Sequence, residues 1–179
     1  MIYMSKKKTS TFYLTERLTM TAANTPVTAT IDLGAYVDVA DRQAIAIEEV
    51  DFIIQGTTAT TPLTTSFGGD AQVDMQISDL NRGGTIQFAD ARALVASGQL
   101  LMDHGNNQVW NHSDMYPDIY GARDGVRLVV NDQLYLTAES SAVAGSNSIS
   151  VTVRVKAHVC GLTAKDWMAI AIQSTAADN

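Results

Sequence analysis

An unbroken alternation of apolar and polar residues runs from Ile149 to Val159 near the end of the chain. Successive side chains of a β-strand point to opposite faces, so this alternation predicts a long strand with one buried and one solvent-facing side. Arg154, Lys156 and His158 fall on the solvent-facing side. Strands with one wet face are typical of antiparallel sheets, because parallel sheets are usually covered on both sides.

The same two-residue period marks most of the remaining chain. In residues 43–55 the apolar positions change phase at Glu48 and Glu49, which predicts a β-bulge, because only an inserted residue shifts the pattern. The other predicted strands cover residues 9–21, 27–33 with a continuation over 36–39, 71–79, 126–130 and 133–138, and a short strand is expected near Val109 and Trp110.

Two segments predict helices instead. Asp90 is a candidate N-cap for a short helix over residues 90–101, with Gly98 near its end. Thr163 and Asp166 have the spacing of a capping box, which predicts a C-terminal helix whose apolar residues need a partner surface.

About eight strands with a few long connections predict an all-β fold, an eight-stranded antiparallel jelly-roll sandwich with short helices in connections and at the C-terminus. The expected organisation is a basic N-terminal arm over residues 1–8, a jelly-roll domain over residues 9–161 and a short C-terminal helix and tail over residues 162–179.

The charge distribution separates the arm from the body. The net charge of −7 argues against a nucleic-acid-binding domain, but residues 1–20 carry +3 and the remainder carries −10. Lys6, Lys7 and Lys8 are therefore a candidate contact to genomic DNA or an anionic membrane, and a disordered, solubilising tail is the simpler interpretation. Only 17% of residues are charged, which suits a surface that is buried against neighbours.

The usual catalytic and metal-binding patterns are missing from the sequence. Cys160 is the only cysteine, so no intrachain disulfide can form. His104, His112 and His158 lack the spacing of a zinc site. The aspartate-rich segment from Asp114 to Asp124 is a weak calcium candidate, since loops also collect aspartates for turn formation. The sequence therefore predicts no enzyme, no cofactor and no metal.

Neither membrane insertion nor export is indicated by the sequence. No apolar run approaches the length of a membrane span, and no classical export signal is visible. The aromatic residues leave two interpretations open, because exposed aromatics can stack on sugars and also anchor protein interfaces. The residues concerned are Trp110, Tyr116, Tyr120 and Trp167.

Four features together resemble one family of proteins. They are the short basic N-terminal arm, the first strand S-T-F-Y-L-T-E-R-L-T-M, the segment D-L-G-A-Y-V-D-V-A-D-R-Q-A-I-A-I-E-E-V-D-F-I-I-Q, and the closing strand followed by L-T-A-K-D-W-M-A-I-A-I-Q. This layout resembles the single jelly-roll major capsid proteins of tailless icosahedral double-stranded DNA viruses of bacteria and archaea. The resemblance covers about the first 55 and the last 30 residues, and the middle of the chain carries none.

The resemblance implies a structural virion protein, made in the host cytoplasm, whose strands stand upright on the shell. Its partners would be other copies of itself in capsomers, with a second capsid protein, an inner membrane or genomic DNA as further candidates. The expected subunit contacts are Trp110, Tyr116, Tyr120, Trp167 and Met168. Two alternatives stay open: a monomeric or trimeric carbohydrate-binding module of a phage fibre or secreted protein, and a cupin-like enzyme, which would require a bound metal.

Overall fold

Most of the regular secondary structure in the described residues is β-strand. A computed structural model describes residues 6–88, 91–112, 126–143, 145 and 147–175. Within these residues the elements, in chain order, are β1 Lys6–Lys7, β2 Phe12–Met20, β3 Val27–Asp32, β4 Gln43–Gln55, α1 Leu63–Ser66, β5 Ala71–Ser78, β6 Leu94–Asp103, β7 Gln108–His112, β8 Arg127–Val129, β9 Gln133–Ser140, β10 Ile149–Gly161 and α2 Ala164–Thr175.

The strands form two antiparallel sheets. In the first sheet β4 lies between β10 and β8. The opposite edge of β10 pairs with two strands in turn, with β2 along most of its length and with β1 at its end. The second sheet has the order β3-β9-β5-β6-β7. If β1 and β7 are set aside, eight strands remain. Renumbered 1 to 8 along the chain, they lie in the order 1-8-3-6 in the first sheet and 2-7-4-5 in the second. This order is that of a jelly roll, so the predicted fold class is confirmed.

The main core lies between the two sheets. The alternation predicted for the closing strand is present in β10, where Ile149, Val151, Val153 and Val155 are fully buried. These residues pack with the inward side chains of both sheets in one continuous cluster, which includes Leu134. This core joins the two sheets into one sandwich.

The change of phase in β4 is a β-bulge, as predicted. In the pairing of β4 with β10, Lys156 lies opposite Glu49 and Ala157 lies opposite Ile47, which leaves Glu48 as the extra residue. Because of the insertion, Ile47 before the bulge and Phe52 after it both reach the core.

A second, smaller cluster lies on the outer face of the first sheet, under α2. Thr163 caps this helix as predicted, since the Asp166 amide donates to Thr163 Oγ1 at 3.2 Å, and the Thr163 hydroxyl donates to Asp166 Oδ2 at 2.7 Å. Ile170 and the half-buried Trp167 of this helix pack against the sheet. The sheet surface there is made of small and apolar residues, Ala44, Ala46, Leu128 and Cys160.

Two local predictions were wrong. A helix capped by Asp90 was predicted over residues 90–101, but most of this segment belongs to β6, Leu94–Asp103, and Asp90 itself lies outside the described residues. Pairing with β5 on one side and β7 on the other outweighs the helix propensity of the alanines. Residues 36–39 do not continue β3, because the amides of Tyr36 and Val37 both donate to Leu33 O in a turn. Cys160 lies on the outer face of β10, where α2 covers it, and burial raises the pKa of its thiol to about 11.

Candidate interaction surfaces

The basic arm is paired with the body from Lys6 onward. Lys6 lies opposite Gly161 and Lys7 opposite Cys160, so β1 extends the first sheet beside the end of β10. The amide of Lys8 donates to Val159 O at 2.8 Å, and the Val159 amide donates to the Thr9 hydroxyl at 2.9 Å. The interpretation of Lys6–Lys8 as a disordered tail was therefore wrong, although all three lysines remain exposed.

The carboxylate of Glu48, the bulge residue, joins this arm to β10. Its Oε1 accepts hydrogen bonds from His158 Nδ1 at 2.8 Å and from Thr11 Oγ1 at 3.1 Å. Lys7 Nζ lies 3.6 Å from Oε1, and Lys156 Nζ lies 3.9 Å from Oε2. Lys7 of the arm, Thr11 before β2 and two β10 residues thus share one carboxylate, which we call the Glu48 junction.

The Glu48 junction favours the charged form of its carboxyl group. Partial burial raises the pKa of Glu48, but the hydrogen bonds from His158 and Thr11 and the charge of Lys7 outweigh burial and bring this pKa below its ordinary value. The junction also explains why His158, predicted to face solvent, is only 9% exposed. The arm and the bulge cover its ring on the outer face of the sheet.

A second buried charge lies where β5 ends. Asp79 is 2% exposed, and its Oδ2 lies 3.5 Å from the Arg127 guanidinium of β8. The same guanidinium nitrogen donates a shorter bond, 2.7 Å, to the carbonyl oxygen of Arg92. Asp79 Oδ1 is buried without a hydrogen-bond partner. Burial therefore raises the pKa of Asp79 to about 6, although the charge of Arg127 opposes the increase.

The predicted contact residues lie on three different parts of the chain. Trp110 lies on β7, at the open edge of the second sheet, and is 46% exposed. Met168 is 60% exposed on α2, whereas Trp167 of the same helix is turned toward the second cluster. Tyr116 and Tyr120 lie outside the described residues.

Sequence reasoning missed two of these features. The role of Glu48 could be inferred only in part, because the phase change locates the bulge but not the arm that pairs beside it. Asp79 had no sequence signal, since its partner Arg127 lies 48 residues away.

Metal-binding and membrane-spanning features can be examined only in the part of the chain that the structure describes. There, no group of three or more His, Cys, Asp or Glu side chains is arranged to hold a metal ion. The calcium candidate, Asp114 to Asp124, lies outside that part. No described helix is both long and apolar enough to cross a membrane.

Comparisons with known proteins give one type of match. No protein-family model matches the chain, and no curated protein sequence matches it. Among solved structures, the chain is similar to VP1 of Trichodysplasia spinulosa-associated polyomavirus, which was solved in complex with sialylated glycooligomers. The identity is 10% and the TM-score is 0.41, and the alignment covers 89% of this chain and 98% of VP1.

Proposed function

We propose that this chain is a capsid subunit, which self-associates into capsomers of an icosahedral shell. A shell subunit needs a rigid body, surfaces that bind neighbouring copies, and terminal segments that reach them. Closed symmetry then lets many weak contacts hold the shell, and no chemical reaction is required. The jelly roll supplies the rigid body. The four sequence features named above resemble those of single jelly-roll capsid proteins.

Exposed apolar side chains outside the eight-stranded core are the observation that carries the proposal. On β7, Val109 is 41% and Trp110 is 46% exposed. On α2, Met168 and Ile172 are 60% and 61% exposed and lie one helical turn apart. Neither element belongs to the eight strands of the jelly roll. Apolar surface on such peripheral elements is typical of protein interfaces.

The arm is the third candidate contact. Its pairing with β10 holds Lys6 and Lys7 at the end of the first sheet, where Lys7 reaches the Glu48 junction. Lys6 and Lys8 have no carboxylate partner among the ion pairs of the described residues, whereas Lys7 shares Glu48. These lysines are the proposed contact to genomic DNA or to an anionic inner membrane.

Self-association is tested by light scattering of the purified protein over a concentration and salt series, with negative-stain images of the largest species. We expect rings of capsomer size or closed shells. Met168→Ser with Ile172→Ser, and separately Trp110→Ser, should shift the distribution toward monomer while the circular dichroism spectrum is unchanged. Phe88→Ser is the matched control, because it removes an 86% exposed apolar side chain from a loop that the proposal does not invoke.

A monomer at every concentration would contradict self-association and favour the carbohydrate-binding module. Unchanged assembly in both contact variants would show that β7 and α2 are not the interface.

The arm is tested separately, with the Lys6→Ala, Lys7→Ala and Lys8→Ala triple variant. Binding of the wild-type protein to duplex DNA and to vesicles that contain anionic lipid is measured at several salt concentrations. If the lysines contact phosphates, the variant should bind more weakly and its affinity should depend less steeply on salt. Equal binding of the two proteins to both ligands would refute this role.

A further inference from the structure

A preformed polar cleft lies on the outer face of the second sheet, on the side opposite the core. Its floor consists of three neighbouring strands, β3, β9 and β5, and its wall is the segment 81–87, which connects β5 to β6. The cleft has a volume of about 610 Å³. Ligand sites in proteins typically have volumes of about 300–1,000 Å³.

A pair of hydrogen bonds fixes the wall to the floor. Gln76 on β5 donates from Nε2 to the Gln87 carbonyl oxygen and accepts from the Gln87 amide at Oε1, both at 2.7 Å. Gln76 is only 6% exposed, so this clamp is protected from water. The Gln87 side chain in turn donates to Thr85 Oγ1 at 2.8 Å, which holds the middle of the wall.

The close approach of the wall to the sheet also depends on glycine. Gly83 and Gly84 both have positive φ, 73° and 77°. A Cβ at Gly84 would lie 2.9 Å from Thr28 Cγ2 on the floor, so any larger residue would push the wall away. The Gly83 amide donates to Asn81 Oδ1 at 2.9 Å, which closes the turn. The cleft is therefore held open in one shape without a ligand.

Most of the side chains that line the cleft carry a hydroxyl or an amide group. Three amide side chains and six hydroxyl side chains line the cleft, the latter from Thr28, Thr30, Ser78, Thr85, Tyr135 and Thr137. Hydroxyl and amide groups both donate and accept hydrogen bonds. Among the described residues, the lining contains one cation, Arg82, and no carboxylate. A cationic ligand would have no counter-charge there, and a highly phosphorylated one would need more cations than one guanidinium.

We propose that this cleft is a binding site for a neutral saccharide. The hydroxyl groups of such a ligand can exchange hydrogen bonds with the hydroxyl side chains of the lining, whereas Arg82 already has a partner within the protein. The assignment rests on the cleft alone and holds whether or not the chain forms a shell.

The experiment is saturation-transfer NMR of the full chain with a panel of defined neutral di- and trisaccharides, followed by titration of those that bind. Thr30→Trp should weaken binding at least tenfold, because Thr30 is exposed on the cleft floor and the indole fills the space without entering the core. Thr15→Trp is the matched control, an exposed threonine on a strand of the other sheet, and should bind like the wild type.

A second variant tests the preformed wall. Gln76→Ala removes the clamp, so we expect weaker binding together with faster amide exchange in residues 81–87, while the far-ultraviolet circular dichroism spectrum keeps its β character. The proposal is overturned if no member of the panel shows saturation transfer, or if Thr30→Trp binds as tightly as the wild-type protein.

Discussion

Asp79 allows a quantitative test of how burial and ion pairing compete in this fold. Its Oδ1 is buried without a hydrogen-bond partner, its Oδ2 lies 3.5 Å from the Arg127 guanidinium, and the charge of Arg82 acts on it as well. If burial dominates, the folded protein binds the Asp79 proton more tightly than the unfolded chain does. This contribution to stability is complete below the unfolded pKa of 3.8 and is lost as the pH rises through the folded pKa of about 6.

The size of the effect follows from the two pKa values. A shift from 3.8 to about 6 corresponds to about 3 kcal/mol of pH-dependent stability, at about 1.4 kcal/mol per pKa unit. By linkage, about 1.4 kcal/mol of this total falls between about pH 5 and about pH 7.5. That range avoids the lower pH at which this acidic chain approaches zero net charge.

The assay is urea unfolding followed by circular dichroism at several pH values across that range, for the wild type and Asp79→Asn. We expect the variant to gain about 1.4 kcal/mol of unfolding free energy relative to the wild type between the lowest and the highest pH. Any constant cost of the substitution cancels in this comparison. Other titrating groups cancel as well, because both proteins contain them.

A difference that stays constant over the same range would refute the reasoning. It would mean that Asp79 titrates below pH 5 in the folded protein and that the Arg127 guanidinium outweighs burial. Arg127→Gln provides an independent probe, because removing the cation should raise the pKa of Asp79 further. The stability of that variant should therefore fall more steeply with pH than that of the wild type.

Three further predictions follow from the core, the arm and the second cluster. Val153→Asp should unfold the domain, because it buries a lone charge, and the free energy of unfolding measured in urea should fall by more than about 4 kcal/mol. The control Thr152→Asp, on the outer face of the same strand, should stay folded. A soluble, folded Val153→Asp protein would contradict the assigned faces. Glu48→Gln should lower the local stability of the arm by about 2 kcal/mol, which corresponds to roughly thirtyfold faster amide exchange at Lys8. The neighbouring substitution Glu49→Gln should leave that exchange rate unchanged. Equal exchange rates in the two variants would exclude the Glu48 junction as the anchor of the arm. Cys160 should react with a thiol reagent at least about a hundred times more slowly in the native protein than in urea, because burial raises the pKa of its thiol to about 11. Rapid labelling of the native protein would show that α2 does not cover Cys160.

Several of these surfaces could be located from the sequence only in part. The sequence predicts a C-terminal helix that contains Met168 and needs a partner surface, and α2 is this helix. Trp110 was expected on a short strand and lies on β7. The polar cleft was not predicted, because Gln76 and Gln87 are paired only when the chain folds back over β5.

The sequence by itself determined the secondary structure wherever a side-chain period was long and unbroken. Each strand with clear alternation, including β10 and the phase shift at Glu48, is found where the pattern predicts it, because the two faces of a strand are set by local backbone geometry. The pattern was insufficient in β6, where alanines and Gly98 allow either helix or strand and only pairing with two neighbouring strands decides.

Only the tertiary structure decided what covers the outer faces of the sheets. Alternation assigns His158 and Cys160 to the outer side of β10, yet both are buried, one by the Glu48 junction and the other by α2. Elements distant in the sequence, the N-terminal arm and the C-terminal helix, exclude water at these two points. A periodic pattern reports which side chains share a face, but whether that face meets solvent depends on contacts between remote parts of the chain, which no local sequence signal encodes.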